Sequence, residues 1–278
     1  MQHQAFQPWL DSWGLVPDGD PFQSNWSKLL PVRRGKKRLM LKAAMADQEI
    51  AGSIVLEWFQ GGGAARVFAR RDNAVLMERL FGPTALAGMA RAQGDGAAYA
   101  VLCEVAYKLH SAADRLPFDG LTPVEKWFEA LSVTSNDFGG LFTKAKETFD
   151  ALAFTQGPRV PLHGDLHHAN VLQRSSGEWA AIDPKGLLGE RTLEYAMMLF
   201  VDPHSKTGIG NCDGIVSRIS LVSELAGVDA DRLLSWTFCQ AALYGAWFTG
   251  HPPEKLWRRL ASDLADITLD PARLRTTG

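Results

Sequence analysis

The sequence predicts an α+β protein of two lobes, a small antiparallel β-sheet lobe over residues 1–81 and a larger, mainly helical lobe over residues 82–278. Short apolar runs separated by turn chemistry fill the amino-terminal part. Helical periodicity dominates from Thr84 onward, and the breaker pair Gly82-Pro83 stands where one pattern gives way to the other. The length of 278 residues agrees with this, since one domain takes roughly 150.

In the first lobe, Phe22 to Pro31 and Lys37 to Ala44 read as strands joined by the turn Arg33-Arg34-Gly35. From Met45 to Phe59 the chain places Ile50, Ile54, Val55 and Trp58 at helical spacing, and Gly61-Gly62-Gly63 stops that helix. Val67–Arg70 and Ala74–Met77 complete the lobe as two strands about an Arg71-Asp72-Asn73 turn. In the second lobe, helices are expected at 99–110, 124–131, 142–154, 191–199, 217–226, 231–248 and 255–267. One hairpin interrupts them, with Val171–Gln173 and Trp179–Ile182 flanking Arg174-Ser175-Ser176-Gly177.

Composition excludes several classes. A charged fraction of 22% and a hydrophobic fraction of 46% are those of a folded protein, not a disordered one. With 29 Lys plus Arg against 31 Asp plus Glu, the net charge of -2 supplies no overall field for nucleic acid or an acidic membrane. No apolar run approaches the roughly 20 residues that span a bilayer, and the amino terminus lacks signal-peptide character. Three scattered cysteines, Cys103, Cys212 and Cys239, do not make a disulfide framework. The expectation is a cytoplasmic protein whose partner is a small molecule.

The densest chemistry is His163-Gly164-Asp165-Leu166-His167-His168-Ala169-Asn170, directly before the hairpin that ends in Ala181-Ile182-Asp183. One reading makes His163, Asp165, His167 and His168 ligands of a zinc or iron centre. The other makes the segment a phosphoryl-transfer loop. Protein kinases place a catalytic Asp five residues before an Asn that binds magnesium, and a further metal-binding Asp follows a strand pair. Asp165, Asn170 and Asp183 reproduce that order and spacing. They supply two oxygen ligands for a hard cation and one carboxylate left to orient an acceptor hydroxyl.

This loop, followed by the I-D-P-x-G-x-x-G-E form at residues 182–190, resembles the aminoglycoside phosphotransferases, most closely their streptomycin 6-phosphotransferase and hydroxyurea phosphotransferase group. The resemblance covers most of the chain, more loosely in the amino-terminal lobe. It implies a protein-kinase-like fold, ATP and Mg2+ as cofactors, and transfer of a phosphoryl group to a hydroxyl of a cationic, streptomycin-like antibiotic, with resistance as the result. Hydroxyurea, a sugar or an amino alcohol is the alternative acceptor. Asp165 is the expected base, and Asn170 and Asp183 the metal ligands.

Lys42, at the end of the strand Leu39-Met40-Leu41-Lys42, is the expected phosphate-binding cation, with Glu49 on the next helix as its partner and Glu57 as the competing carboxylate. The loop over the nucleotide, residues 22–27, contains no glycine, so Ser24 is expected to donate to phosphate. Met77, Glu78 and Leu80 fall where a hinge would offer its main chain to adenine. His163 is expected to brace the loop, while His167 and His168 have no required role. Glu190 and Glu194, four residues apart on one helical face, are the expected contacts to the cationic acceptor, with Asp202 at that helix's end as a cap. Trp236, Trp247 and Trp257 are candidates to stack on a guanidinium or a sugar face. Pro184-Lys185 after Asp183 replaces the Phe-Gly of protein kinases, so an inactive flip of this segment is not expected.

Overall fold

A computed structural model describes residues 3–111, 120–206 and 208–268. Its amino-terminal lobe opens with α1 (Gln7–Trp13), which the sequence reading did not anticipate, and continues through β1 (Val16–Pro17), β2 (Phe22–Gln23), β3 (Ser27–Arg34), β4 (Lys37–Ala44), α2 (Asp47–Phe59), β5 (Val67–Arg71) and β6 (Ala74–Glu78). The run expected as one strand from Phe22 to Pro31 is two strands, split by the turn at residues 24–26. Every pairing in the sheet is antiparallel, in the order β1-β3-β4-β6-β5 with β2 also on β3.

Alternation along these strands decides which side chains face the cleft. Leu39, Leu41 and Ala43 of β4, Leu30 and Val32 of β3 and Leu76 of β6 turn outward into a core closed by Phe6 and Leu10 of the amino-terminal helical segment. Met40 and Lys42 therefore take the other face, in register with Met77 and Val75. A cation on that face is held against the helical lobe.

The second lobe comprises α3 (Ala85–Gln93), α4 (Asp95–His110), β7 (Thr122–Pro123), α5 (Val124–Trp127), α6 (Glu129–Phe138), α7 (Leu141–Phe154), β8 (Arg159–Leu162), β9 (Val171–Gln173), β10 (Trp179–Ala181), β11 (Leu187–Glu190), α8 (Arg191–Met198), α9 (Cys212–Ala226), α10 (Ala230–Trp247) and α11 (Glu254–Thr268). The helix expected at 124–131 is instead the short α5 and the start of α6, which meet at Phe128. Asn211 and Asp229 cap α9 and α10, accepting from the N–H groups of Gly214 at 2.9 Å and Arg232 at 2.7 Å. The hairpin β9–β10 ties the lobes together: Phe81 and Gln173 exchange backbone hydrogen bonds, as do the 63–65 segment and Ala181.

A three-stranded sheet, in the order β7-β11-β8, was not foreseen. Its strands are at most four residues long, too short for a visible period of two. They nevertheless set the site, because β8 leads into His163 and β11 leads away from Asp183.

Candidate active site

Lys42 reaches Glu49 Oε2 at 2.6 Å and Asp183 Oδ1 at 2.7 Å, bridging β4, α2 and the segment after the hairpin. Burial works against the lysine's charge, but Asp183 and Glu49 outweigh it and raise its pKa. Glu49 shows the converse: burial would lift its pKa, yet Lys42 and Lys185 hold it low. The competing carboxylate, Glu57, pairs with Arg70 on the exposed side of α2. Ser27, the last residue of the loop expected over the nucleotide, is fully buried and donates its hydroxyl to Glu49 Oε2 at 3.1 Å.

The loop from His163 to Asn170 is fixed by its own side chains. His163 Nε2 bonds the Ile182 carbonyl at 2.8 Å, and Nδ1 accepts the Asp165 N–H at 3.2 Å, so both ring nitrogens are used in the neutral tautomer. Asn170 donates through Nδ2 to the Asp165 carbonyl at 2.8 Å and to its Oδ2 at 3.2 Å. His167 also joins this group, with Nε2 at 3.6 Å from Asp165 Oδ1. His168 is a core residue, set edge-on against Tyr99, and burial lowers its pKa to about 4. The two rings are thus separated by role and by burial. Among the described residues no group of three or more His, Cys, Asp or Glu converges as a metal-holding cluster, and the zinc or iron reading is set aside.

Asp183 adopts φ +60°, a left-handed conformation that an L side chain other than Asn or Asp rarely takes. Two glycines make room for it. A Cβ on Gly52 of α2 would lie 2.4 Å from the Pro184 carbonyl oxygen, and one on Gly186 would lie 2.3 Å from Val55 Cγ2. Gly52 therefore marks a close approach between α2 and the segment that follows Asp183.

Several expected contacts are corrected. Glu194 is 0% exposed and faces no open pocket: it accepts the backbone N–H groups of His163 at 2.6 Å and Gly164 at 3.1 Å. Burial alone would raise its pKa, but His110, 3.8 Å away, and the His163 backbone N–H hold it low. Glu190 lines a cavity with Arg191, Tyr195 and Arg232, and there it is held by Arg232 Nε at 2.7 Å and by the indole N–H of Trp236. The i,i+4 spacing was expected to put both carboxylates on one helical face, but Glu190 ends β11 with extended backbone just before α8, and both side chains are buried. The Ser24 hydroxyl closes its own turn, donating to the Ser27 carbonyl at 3.3 Å and accepting the Ser27 N–H at 3.1 Å. Asp202 caps nothing; it accepts the His204 N–H and pairs with Arg218.

At the hinge, Met77 lies on the cleft face with Lys42, and Glu78 spends its side chain on Arg174 at 3.1 Å. Among the described residues no hydrogen bond engages the main chain of Leu80, which stands between the paired Glu78 and Phe81. Of the three tryptophans, Trp236 and Trp257 are core. Trp247 is 40% exposed, packed edge-on against Trp127 at 4.8 Å and Tyr244 at 5.7 Å. Burial pushes the Tyr244 phenol pKa up, and the charge of Asp165 adds to it.

Residues 12–251 match the family described as aminoglycoside/hydroxyurea antibiotic resistance kinase. A streptomycin 3''-kinase from Klebsiella pneumoniae is 40% identical over 247 residues, covering 87% of this chain and 91% of that protein. A streptomycin 6-kinase from Streptomyces glaucescens is 28% identical over 251 residues, covering 86% and 80%. Among solved structures, a thermostable mutant of aminoglycoside phosphotransferase APH(4)-Ia, in ternary complex with AMP-PNP and hygromycin B, has a TM-score of 0.61 at 12% identity over 94% of this chain and 97% of that one. That likeness is one of fold, and it is the protein-kinase-like fold the sequence led us to expect.

Proposed function

The chain belongs to the aminoglycoside/hydroxyurea antibiotic resistance kinases, and on that premise we propose that it transfers the γ-phosphoryl group of ATP to the 3''-hydroxyl of a streptomycin-like aminoglycoside, inactivating the drug. The observation that carries the proposal is the shared ion-pair system in which Lys42 joins Glu49 to Asp183. The 40% identity to a 3''-kinase, against 28% to a 6-kinase, supports the choice of hydroxyl.

In this reading Lys42, oriented by Glu49, binds the nucleotide phosphates, while Met77 walls the adenine pocket and the main chain of Glu78 and Leu80 lines it. Asn170 and Asp183 fit a magnesium ion: with its Nδ2 on Asp165, Asn170 keeps Oδ1 free, and Asp183 keeps Oδ2 free while Oδ1 holds Lys42. Hard oxygen donors of this kind suit Mg2+, which takes its remaining ligands from phosphates and water. When bound, Mg2+ neutralises phosphate charge. Asp165, held by Asn170, orients the acceptor hydroxyl and accepts its proton as the phosphorus–oxygen bond forms. His163 and Glu194 keep the loop rigid, so the residues are positioned before the substrate arrives.

For the acceptor, the aromatic group of Trp127, Tyr244 and Trp247 takes the place of the two internal glutamates. An exposed indole packed edge-on against a phenol suits a guanidinium or a sugar face. No helix among the described residues is long and apolar enough to cross a membrane. Cys103 and Cys239 are free and buried, and Cys212 is free and half-buried, which fits a reducing cytoplasm.

A coupled assay of ADP release over streptomycin, other aminoglycosides, hydroxyurea, sugars and amino alcohols tests the proposal, with NMR of the product locating the phosphate. Streptomycin-dependent release with phosphate at the 3'' position is expected. Release with hydroxyurea alone, or phosphate at the 6 position, would overturn it.

A further inference from the structure

The nucleotide cleft contains a second lysine that the scheme above leaves idle. Lys185 stands two residues beyond Asp183, and its backbone N–H donates to the His163 carbonyl at 2.7 Å, which fixes it beside the loop that carries Asp165. Its side chain crosses to α2 and meets Glu49 Oε1 at 3.3 Å. Glu49 is therefore divided: Oε2 holds Lys42 and Ser27 from the sheet lobe, and Oε1 holds Lys185 from the helical lobe.

The two contacts are unequal. The Lys42 side chain is 6% exposed and bonded at 2.6 Å, whereas that of Lys185 is 20% exposed and bonded more loosely. Two lysines and two carboxylates, Glu49 and Asp183, balance one another in this arrangement. A triphosphate adds anionic oxygens within reach of both ammonium groups, and the pair with the longer contact and the greater solvent access is the one that yields. A lysine ammonium is a compact charge on a flexible stem, suited to changing partners. His163, Gly164 and Lys185 are also closely packed: a Cβ on Gly164 would lie 3.3 Å from Lys185 Cβ. The stem of Lys185 thus rises from the same patch of backbone as Asp165.

We propose that Lys185 is a second phosphate-binding cation, released from Glu49 by the nucleotide to contact the γ-phosphoryl group and the charge it carries during transfer. This rests on the phosphotransferase reading. The competing role is a latch that merely holds α2 against the helical lobe.

Lys185→Met and Lys185→Arg, each checked by thermal unfolding, are compared with the wild type by calorimetric titration with Mg·ADP and with Mg·AMP-PNP, and by steady-state kinetics. For Lys185→Met the affinity for AMP-PNP should fall about tenfold or more while that for ADP stays within about twofold. Its kcat should fall about 100-fold with the acceptor KM unchanged, and Lys185→Arg should recover part of both losses. Equal weakening of the two nucleotides, as a latch predicts, overturns the proposal, and so does an unchanged ratio of affinities. If Lys185→Met does not fold, Lys185→Gln takes its place in the same titrations. A wild type that releases no ADP with any aminoglycoside refutes the functional reading instead, and the AMP-PNP/ADP ratio still decides the role of Lys185.

Discussion

Glu194 accepts the backbone N–H of His163 at 2.6 Å from a position with no solvent exposure. A buried carboxylate is thus the anchor of the loop that carries Asp165. Glu194→Gln keeps the shape but turns a donor group toward one of the two loop N–H groups. It should cost about 3 kcal/mol of stability, as breaking a buried, hydrogen-bonded charge does, and lower kcat about 100-fold through a misplaced Asp165. Chemical denaturation and steady-state kinetics read the two effects, and an unchanged kcat would remove Glu194 from the positioning role.

Asp165→Asn retains the Asn170 contact at its carbonyl but loses the proton acceptor. The kcat should drop about 1,000-fold, with nucleotide affinity within about twofold of wild type. Full activity in this variant would exclude Asp165 as the base.

The pKa of His168, lowered by burial from 6.5 to about 4, makes stability depend on pH with a definite sign. The unfolded chain binds this proton more readily than the folded one. The stabilisation from keeping the ring neutral is therefore complete above about pH 6.5 and lost progressively as the pH falls toward 4, on the order of 3 kcal/mol in all. His168→Phe should flatten that slope between pH 6.5 and 4. Urea titrations of both proteins at pH 7 and pH 5 measure it, and parallel losses would assign the slope to other groups.

Trp247→Ala should raise the KM for a guanidinium-bearing aminoglycoside about tenfold with little change in kcat or in affinity for ATP. Trp236→Ala, by contrast, empties a fully buried position and leaves Glu190 without its indole donor. It should cost about 4 kcal/mol of folding stability. Kinetics that are unaffected by Trp247→Ala would move the acceptor elsewhere in the cleft.

The residues legible in the sequence were those whose chemistry depends on order along the chain. Asp165 and Asn170 lie on one loop, and the hairpin that follows returns Asp183 to it, so a short spacing sufficed. Lys42 with Glu49 was legible because strand alternation and the first turn of α2 fix both directions. Glu190 and Glu194 were expected on one open helical face, but Glu190 ends β11 ahead of α8, and spacing along the chain does not say whether a face is inner or outer. Here the decision came from Arg232 and Trp236 of α10 and from the backbone of His163 and Gly164, which no local pattern links to α8. The strands β7, β8 and β11 escaped for a related reason, their pairing being set by partners far away in the chain.

The fit of α2 against residues 184–186 has a pharmacological consequence. Gly52 leaves no space beneath it for a Cβ against the Pro184 carbonyl, and Val55 leaves none at Gly186. Inhibitors that work by wedging a helix away from the segment it packs against need a cavity at that seam, and this one is closed by the Pro184 carbonyl and the Val55 side chain. A compound meant to restore antibiotic sensitivity has to be sought where the surface is open rather than at this seam.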